Sequence, residues 1–152
     1  MNSLLKSVWT DYVEPLVSRP DRVQVAAACW RMGPNGKEVL LVTSRETKRW
    51  ILPKGWPIDG LSGAGSALQE AWEEAGVKKA KAAEDAIGHY RYEKGLAGGN
   101  HVTCTAYVYD VEVVDLADIY PEHDERERKW VTPKEAATLV NEPELQELLA
   151  EF

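Results

Sequence analysis

Glu70, Glu73 and Glu74 stand at i, i+3 and i+4 of one stretch, entered from a loop rich in glycine and proline and closed by Gly76. On a helix that turns about 100° per residue, Glu73 falls roughly −60° and Glu74 roughly +40° from Glu70, so the three carboxylates share a face. Hard oxygen ligands clustered this way suit Mg2+ or Mn2+, which take carboxylates, waters and substrate phosphates. The chemistry they can serve is that of a divalent cation on a polyphosphate. The cluster is costly to hold: each like-charge pair one turn apart disfavours a helix by about 0.2–0.5 kcal/mol. Two of the three also lie in the last turn, where the helix dipole opposes negative charge. A solvated acidic face is the ordinary reading of such a cluster, and it is the loop in front that argues for a site.

The helix that must carry them can be read from the same residues. Ala64, Ala67, Leu68, Ala71, Trp72 and Ala75 fall on an arc of about 60° to 200°, largely apart from the carboxylates. One face can therefore pack on a sheet while the other points into a cleft. Ser62 fits the N-cap, where its hydroxyl accepts from a first-turn amide. Gly76 fits the left-handed position past the C-terminus, where a side chain would cost energy.

From Gly55 to Val77 the chain resembles the Nudix box, G-x5-E-x7-R-E-U-x-E-E-x-G-U with U aliphatic. The spacing fits without a gap: Gly55, Glu70, Glu73, Glu74, Gly76 and Val77 match, and Ala71 is a small residue at the first U. Two positions depart. Leu61 stands where the pattern has its first Glu, and Gln69 where it has Arg. In the family that Arg helps orient a catalytic carboxylate; Gln69 is shorter and neutral but can still donate a hydrogen bond. Leu61 cannot bind metal. The flanks extend the likeness toward the diphosphoinositol polyphosphate phosphohydrolase-like branch. Leu41–Arg45 and Arg49–Gly55 resemble its strand and approach to the box, Asn100–Tyr109 a sheet strand, and Glu125–Val131 with the helix after it the C-terminal end.

The resemblance implies an α+β fold, a Nudix α/β/α sandwich with a mixed central sheet. It implies a Mg2+- or Mn2+-dependent hydrolase that cleaves a diphosphate bond. The substrate would be a nucleoside diphosphate derivative, a dinucleoside polyphosphate or a diphosphoinositol polyphosphate. Glu70 and Glu74 would ligate metal with the Gly55 carbonyl, and Glu73 would be either the third ligand or the base that takes a proton from water. These glutamates form the expected catalytic set. The contrasting reading is a Nudix-fold module that binds a nucleotide and regulates without turnover; Leu61 and Gln69 support it, and the intact glutamate trio speaks against it.

Phosphates need bases. Arg45, Arg49 and Lys54 precede the box, and Arg can clamp phosphate bidentately while Lys acts as a point charge. His101 is a candidate phosphate contact or an ordinary strand histidine. Glu122, His123 and Glu125 lie in a polar loop where the family sometimes supplies a second base. Trp56 can wall a substrate pocket or stack on a ring, whereas Trp72 belongs to the apolar helix face.

The 152 residues suffice for one domain with a core, and 44% hydrophobic with 28% charged residues reads as an ordinary globular protein. The net charge of −7 argues against a general nucleic-acid binder, whose phosphate contacts need a basic surface. Bound metal can still invert the local field for an anionic substrate. Cys29 and Cys104 show neither metal spacing nor a disulfide framework and read as small buried hydrophobes. A reducing, cytoplasmic location is the expectation, with a small-molecule phosphoanhydride as partner. No apolar run approaches the ~20 residues of a membrane span, and no signal peptide is expected, since charge interrupts the first residues early.

Residues 1–22 are expected to form an N-terminal extension and 23–152 the Nudix domain. Within the extension, residues 2–18 carry an amphipathic helical pattern through Leu4, Leu5, Val8, Trp9 and Tyr12, whose apolar face would pack on the domain or on a second subunit of a homodimer. Val23–Met32 and Glu38–Ser44 read as a hairpin around a Gly33–Gly36 turn, followed by a short strand Trp50–Leu52 stopped by Pro53. After the box helix, one strand is expected between Val77 and Tyr92 behind a lysine-rich turn. Gly95–Asn100 reads as a turn and His101–Val114 as a long strand. A helix then starts at Thr132 and Pro133, and its pattern runs on to Leu149 with Pro143 as a breaking point.

Overall fold

The computed structural model describes residues 22–152. The expected N-terminal helix at 2–18 lies outside the described residues.

The hairpin forms as expected: β1 (Val23–Gly33) and β2 (Gly36–Thr43) pair antiparallel from Trp30 and Val39 to the turn. Beyond that register the two strands no longer pair with each other. The short strands β3 (Trp50–Ile51) and β4 (Lys54–Gly55) bridge them there. β3 pairs with Val42 and Thr43 at the end of β2, and β4 pairs with Val25 and Ala26 at the start of β1. β3 does stop before Pro53, as expected, and the pairing then passes to β1. Pro53 has no amide to offer, but its carbonyl accepts from the Ala27 amide at 2.9 Å, and the chain resumes pairing one residue later.

The helix α1 (Gly63–Ala75) has the caps its sequence specifies. Ser62 Oγ accepts from the Gly65 amide at 2.9 Å, and Gly76 adopts φ 72°. A Cβ at Gly76 would meet the Tyr120 ring and Arg128, so the position excludes other residues on space as well as on conformation.

The lysine-rich stretch after α1 is a strand rather than a turn. β5 (Val77–Ala82) and β6 (Gly88–Gly95) are separate strands, both antiparallel to the long β7 (His101–Leu116). Register shifts around Lys79 break the alternation that would have marked β5 in the sequence. Lys78, Lys79 and Lys81 are exposed on this sheet-edge strand, where charge discourages pairing with another chain. A 3-10 turn at Ala97–Gly99 joins β6 to β7.

β7 runs parallel to β1, from Val23 opposite Thr105 to Trp30 opposite Glu112, which makes the sheet mixed. β8 (Arg128–Val131) pairs with β2 on its far side. The chain ends in α2 (Pro133–Leu139), capped by Thr132 Oγ1 on the Glu135 amide at 3.1 Å, and α3 (Pro143–Ala150). Pro143 does break the helical pattern, and it occupies the first turn of α3.

The alternation of β1 divides the core in two. Val25, Ala27 and Cys29 face the α1 layer, where they join Leu40, Val42, Tyr109 and the helix residues Ala64, Ala67, Ala71 and Ala75. Ala26 and Ala28 face the other layer, with Leu41, Cys104, Ala106, Leu145 and Leu149 under α2 and α3. Ala64, Ala67, Ala71 and Ala75 turn small side chains of α1 to this layer, and Glu70 and Glu74 meet β4 at Gly55 and Lys54. The fold is α+β, a mixed sheet between helical layers.

Candidate functional site

A cavity of about 880 Å³ opens where β1 and β2 separate. Its floor is built by β4 and α1. Gly55 and the Glu70 carboxylate are so close that a Cβ on residue 55 would lie within the carboxylate's own space. Glu74 is buried at 6% exposure, and its Oε1 accepts from the Lys54 amide at 3.3 Å.

The half-buried Glu70 and the buried Glu74 repel side by side. Burial pushes Glu70 up to about 8, reinforced by the charge and hydrogen bond of Glu74 and by the charges of Glu73 and Glu122. Glu74 is also raised by burial, though Arg126 and Lys54 oppose the shift. Lys54 is lowered to about 8, because burial outweighs the attraction of Glu74. Each carboxylate on the floor thus opposes the ionisation of the other, a repulsion that a further cation would relieve.

The rim supplies bases. The Ser44–Arg49 turn is tied by Ser44 N to Arg49 O at 2.8 Å and Ser44 Oγ to Thr47 Oγ1 at 2.7 Å. It presents Arg45 and Arg49 to the cavity. Both are engaged: Arg45 lies 3.4 Å from Glu125, and Arg49 Nη1 donates to Glu142 Oε2 at 2.6 Å. From the other side, β6 and the start of β7 contribute Tyr92, Lys94 and His101. The Lys54 ammonium stands 4.7 Å from the Tyr92 ring centroid, and that of Lys94 5.3 Å from Trp56.

The loop after β7 closes the wall. Glu122 N donates to Glu73 O at 3.0 Å, and Thr43 exchanges bonds with Glu127 at 3.0 and 2.9 Å, so the loop is fastened to both α1 and β2. Its side chains Glu122 and Arg126 reach the cavity. Arg126 Nε donates to Glu122 Oε1 at 2.9 Å, Nη1 donates to Thr43 O at 3.0 Å, and Nη2 stands 3.7 Å from Glu74 Oε2.

Of the residues singled out in the sequence, Gly55, Glu70, Glu74, Arg45, Arg49, Lys54, Trp56 and His101 line this one cavity. Glu73 is half-buried and does not line it, being turned about 100° from Glu74 around the helix. The convergent acids on the floor are therefore a pair, and among the described residues no group of three His, Cys, Asp or Glu side chains is arranged to hold a metal. Glu122 lines the cavity, whereas His123 packs edge-on against Tyr120 and Glu125 pairs with Arg45. Sequence reasoning gave no role to Arg126, Gln24 or Tyr92. A glutamine between Val23 and Val25 in a buried strand was the available signal, and it is bonded to the Tyr92 hydroxyl. Trp72 is half-buried on the opposite side of α1, beside Leu61, Leu68 and Gln69.

The model of the NUDIX domain matches residues 22–152, which is the whole of the described fold. The chain belongs to the Nudix family. Nudix hydrolase 13, mitochondrial, of Arabidopsis thaliana is 34% identical over 127 residues, covering 78% of this chain and 60% of that protein. The chain thus spans about three-fifths of the length of the curated Nudix relatives it matches. Among solved structures, the E. coli dihydroneopterin triphosphate pyrophosphohydrolase superposes with a TM-score of 0.63 at 16% identity, covering 88% of this chain and 94% of that one. A C. elegans Ap4A hydrolase superposes at 0.59 with 21% identity, covering 86% and 94%. At these identities the superpositions establish the Nudix fold. No helix among the described residues is long and apolar enough to cross a membrane.

The donor set fits a divalent cation. The Gly55–Glu70 cradle excludes any side chain at 55, and the Glu70–Glu74 pair carries charge that a cation would relieve.

Proposed function

We propose that the protein is a divalent-metal-dependent hydrolase of phosphoanhydride bonds. The observation that carries this reading is the convergence of Glu70 on Gly55 and of Glu74 on the Lys54 amide at the floor of a cavity lined by Arg45, Arg49, Lys54 and Lys94. Glu70 and Glu74 would hold Mg2+ or Mn2+ with the Gly55 carbonyl. When bound, the cation supplies charge neutralisation at the phosphates and acidifies a water.

The protein's own groups do the rest. Lys54, Arg49 and Arg45 bind the anionic oxygens and orient the anhydride. Water attacks phosphorus, a new P–O bond forms, and the bridging P–O bond breaks with its electron pair on the leaving phosphate oxygen. Glu122 takes the water's proton: it faces the cavity, where Arg126 Nε donates to its Oε1 at 2.9 Å and holds it in place.

The substrate class follows from the charge. Arg45 and Arg49 already answer Glu125 and Glu142, so little cationic charge is left for a polyol crowned with many phosphates. Trp56, 39% exposed at the cavity wall, can stack on a base. A nucleoside diphosphate derivative or a dinucleoside polyphosphate suits the site better than a diphosphoinositol polyphosphate.

The test is a panel of these phosphoanhydrides with Mg2+ or Mn2+, wild type against Glu74→Gln. Turnover of a nucleoside-capped member that Glu74→Gln loses supports the proposal. Ligand binding with no product from any member would instead indicate a regulatory module and end it.

A further inference from the structure

Glu74 is a buried acid beside another acid, and it must be correctly turned to serve a cation. Its nearest side-chain cation is not on its own helix. Arg126 comes from the loop after β7, its side chain 8% exposed, and reaches three groups at once. The guanidinium bonds Glu122 at 2.9 Å, is anchored on the Thr43 carbonyl at 3.0 Å, and faces Glu74 at 3.7 Å. The planar fork of arginine is what allows one side chain to hold separate acceptors in fixed directions. Gln69, in the box position where the family resemblance calls for arginine, lines a groove on another side of α1 with Leu61, Gly65 and Trp72. It does not line the cavity that holds Glu74.

We infer that Arg126, from the β7–β8 loop, is the positioning residue of this site. It fixes Glu74, which would hold the cation, and Glu122, which would take the proton, in one rigid relation. Its carbonyl anchor on β2 ties that relation to the sheet rather than to a mobile side chain. The inference rests on the hydrolase reading for its kinetic consequence, but its structural consequence can be measured without turnover.

Arg126→Ala and Arg126→Lys are compared with wild type in three measurements: kcat and KM on the best panel substrate, Mn2+ affinity by electron paramagnetic resonance, and thermal melting. Loss of a group that orients a metal ligand costs about 10–100-fold in activity or metal affinity. Arg126→Ala is expected to lower kcat and weaken Mn2+ binding by at least about tenfold while substrate KM stays within about threefold. Guanidinium ion at low concentration should restore part of the lost kcat. Arg126→Lys keeps the charge and guards against loss of the fold. It should melt near wild type yet remain impaired, because a point charge cannot hold both carboxylates. A KM that rises with kcat preserved would make Arg126 a substrate contact and overturn the inference, as would unchanged kcat and Mn2+ affinity. If wild type hydrolyses nothing on the panel, the hydrolase reading falls alone, and the Mn2+ comparison still decides for or against Arg126.

Discussion

The Glu70 carboxylate occupies the space that a Cβ on residue 55 would need. Glycine at 55 is therefore required by contact rather than by backbone conformation. Its φ is not among the positive values, so alanine there is strained only against Glu70. Gly55→Ala should displace the carboxylate and cut turnover by at least about tenfold, as loss of ligand orientation does. A crystal structure of the variant should show Glu70 turned from β4. Full activity would separate the Gly55–Glu70 contact from function.

Glu70 and Glu74 share the cavity floor and Glu73 does not line it. Glu70→Gln and Glu74→Gln should each lower kcat by at least about tenfold, and Glu122→Gln should do so as a lost proton acceptor. Glu73→Gln should stay within about threefold. Steady-state rates at saturating Mg2+ check the set, and a Glu73→Gln loss equal to that of Glu74→Gln would contradict the placement.

Position 69 faces the groove beside Leu61 and Trp72. Restoring the box arginine by Gln69→Arg should therefore leave kcat within about twofold of wild type. A large gain in kcat would show that a side chain at position 69 does act on the cavity and would contradict this placement.

Alkali should unfold the protein. Burial raises the phenols of Tyr90 and Tyr109 above the ordinary 10.0, Tyr90 further by the charge of Glu142 and Tyr109 further by that of Asp85. The folded state then keeps protons that the unfolded state gives up. This contribution is fully present below about pH 10 and is lost as pH rises above it, by about 1.4 kcal/mol per pH unit for each such phenol. Melting temperature from pH 8 to 11, read beside phenolate absorbance, should fall only past that point. The Tyr109 hydroxyl also finds no hydrogen-bond partner among the described residues, so Tyr109→Phe should hold or gain about 1 kcal/mol of stability. A loss on that scale would reveal a partner.

Burial also pushes the Cys29 thiol far above its ordinary range, and the thiolate is the reactive form. Cys29 should resist alkylation in the folded protein at pH 8 and react once denatured, a difference that mass spectrometry reads directly.

Local signals made much of this legible. Ser62, Gly76, Thr132 and Pro143 act on neighbours within a turn, and the structure places each where its chemistry belongs. β5 escaped because a bulge near Lys79 breaks the two-residue period, and a lysine-rich strand looks like a turn when its edge position is unknown. The β3–Pro53–β4 bridge escaped because it depends on β1 and β2 parting, which neither strand announces.

The sequence alone determined the helix with its acidic face, the box spacing around it and the hairpin of β1 and β2. These are periodic or contiguous features, written within a few residues of one another. Only the tertiary structure decided that Glu70 meets Gly55, that Glu73 stays outside the cavity, and that Arg126 faces Glu74 and Glu122. Those relations join segments far apart in the chain, and they depend on strand register and on how closely α1 settles on the sheet.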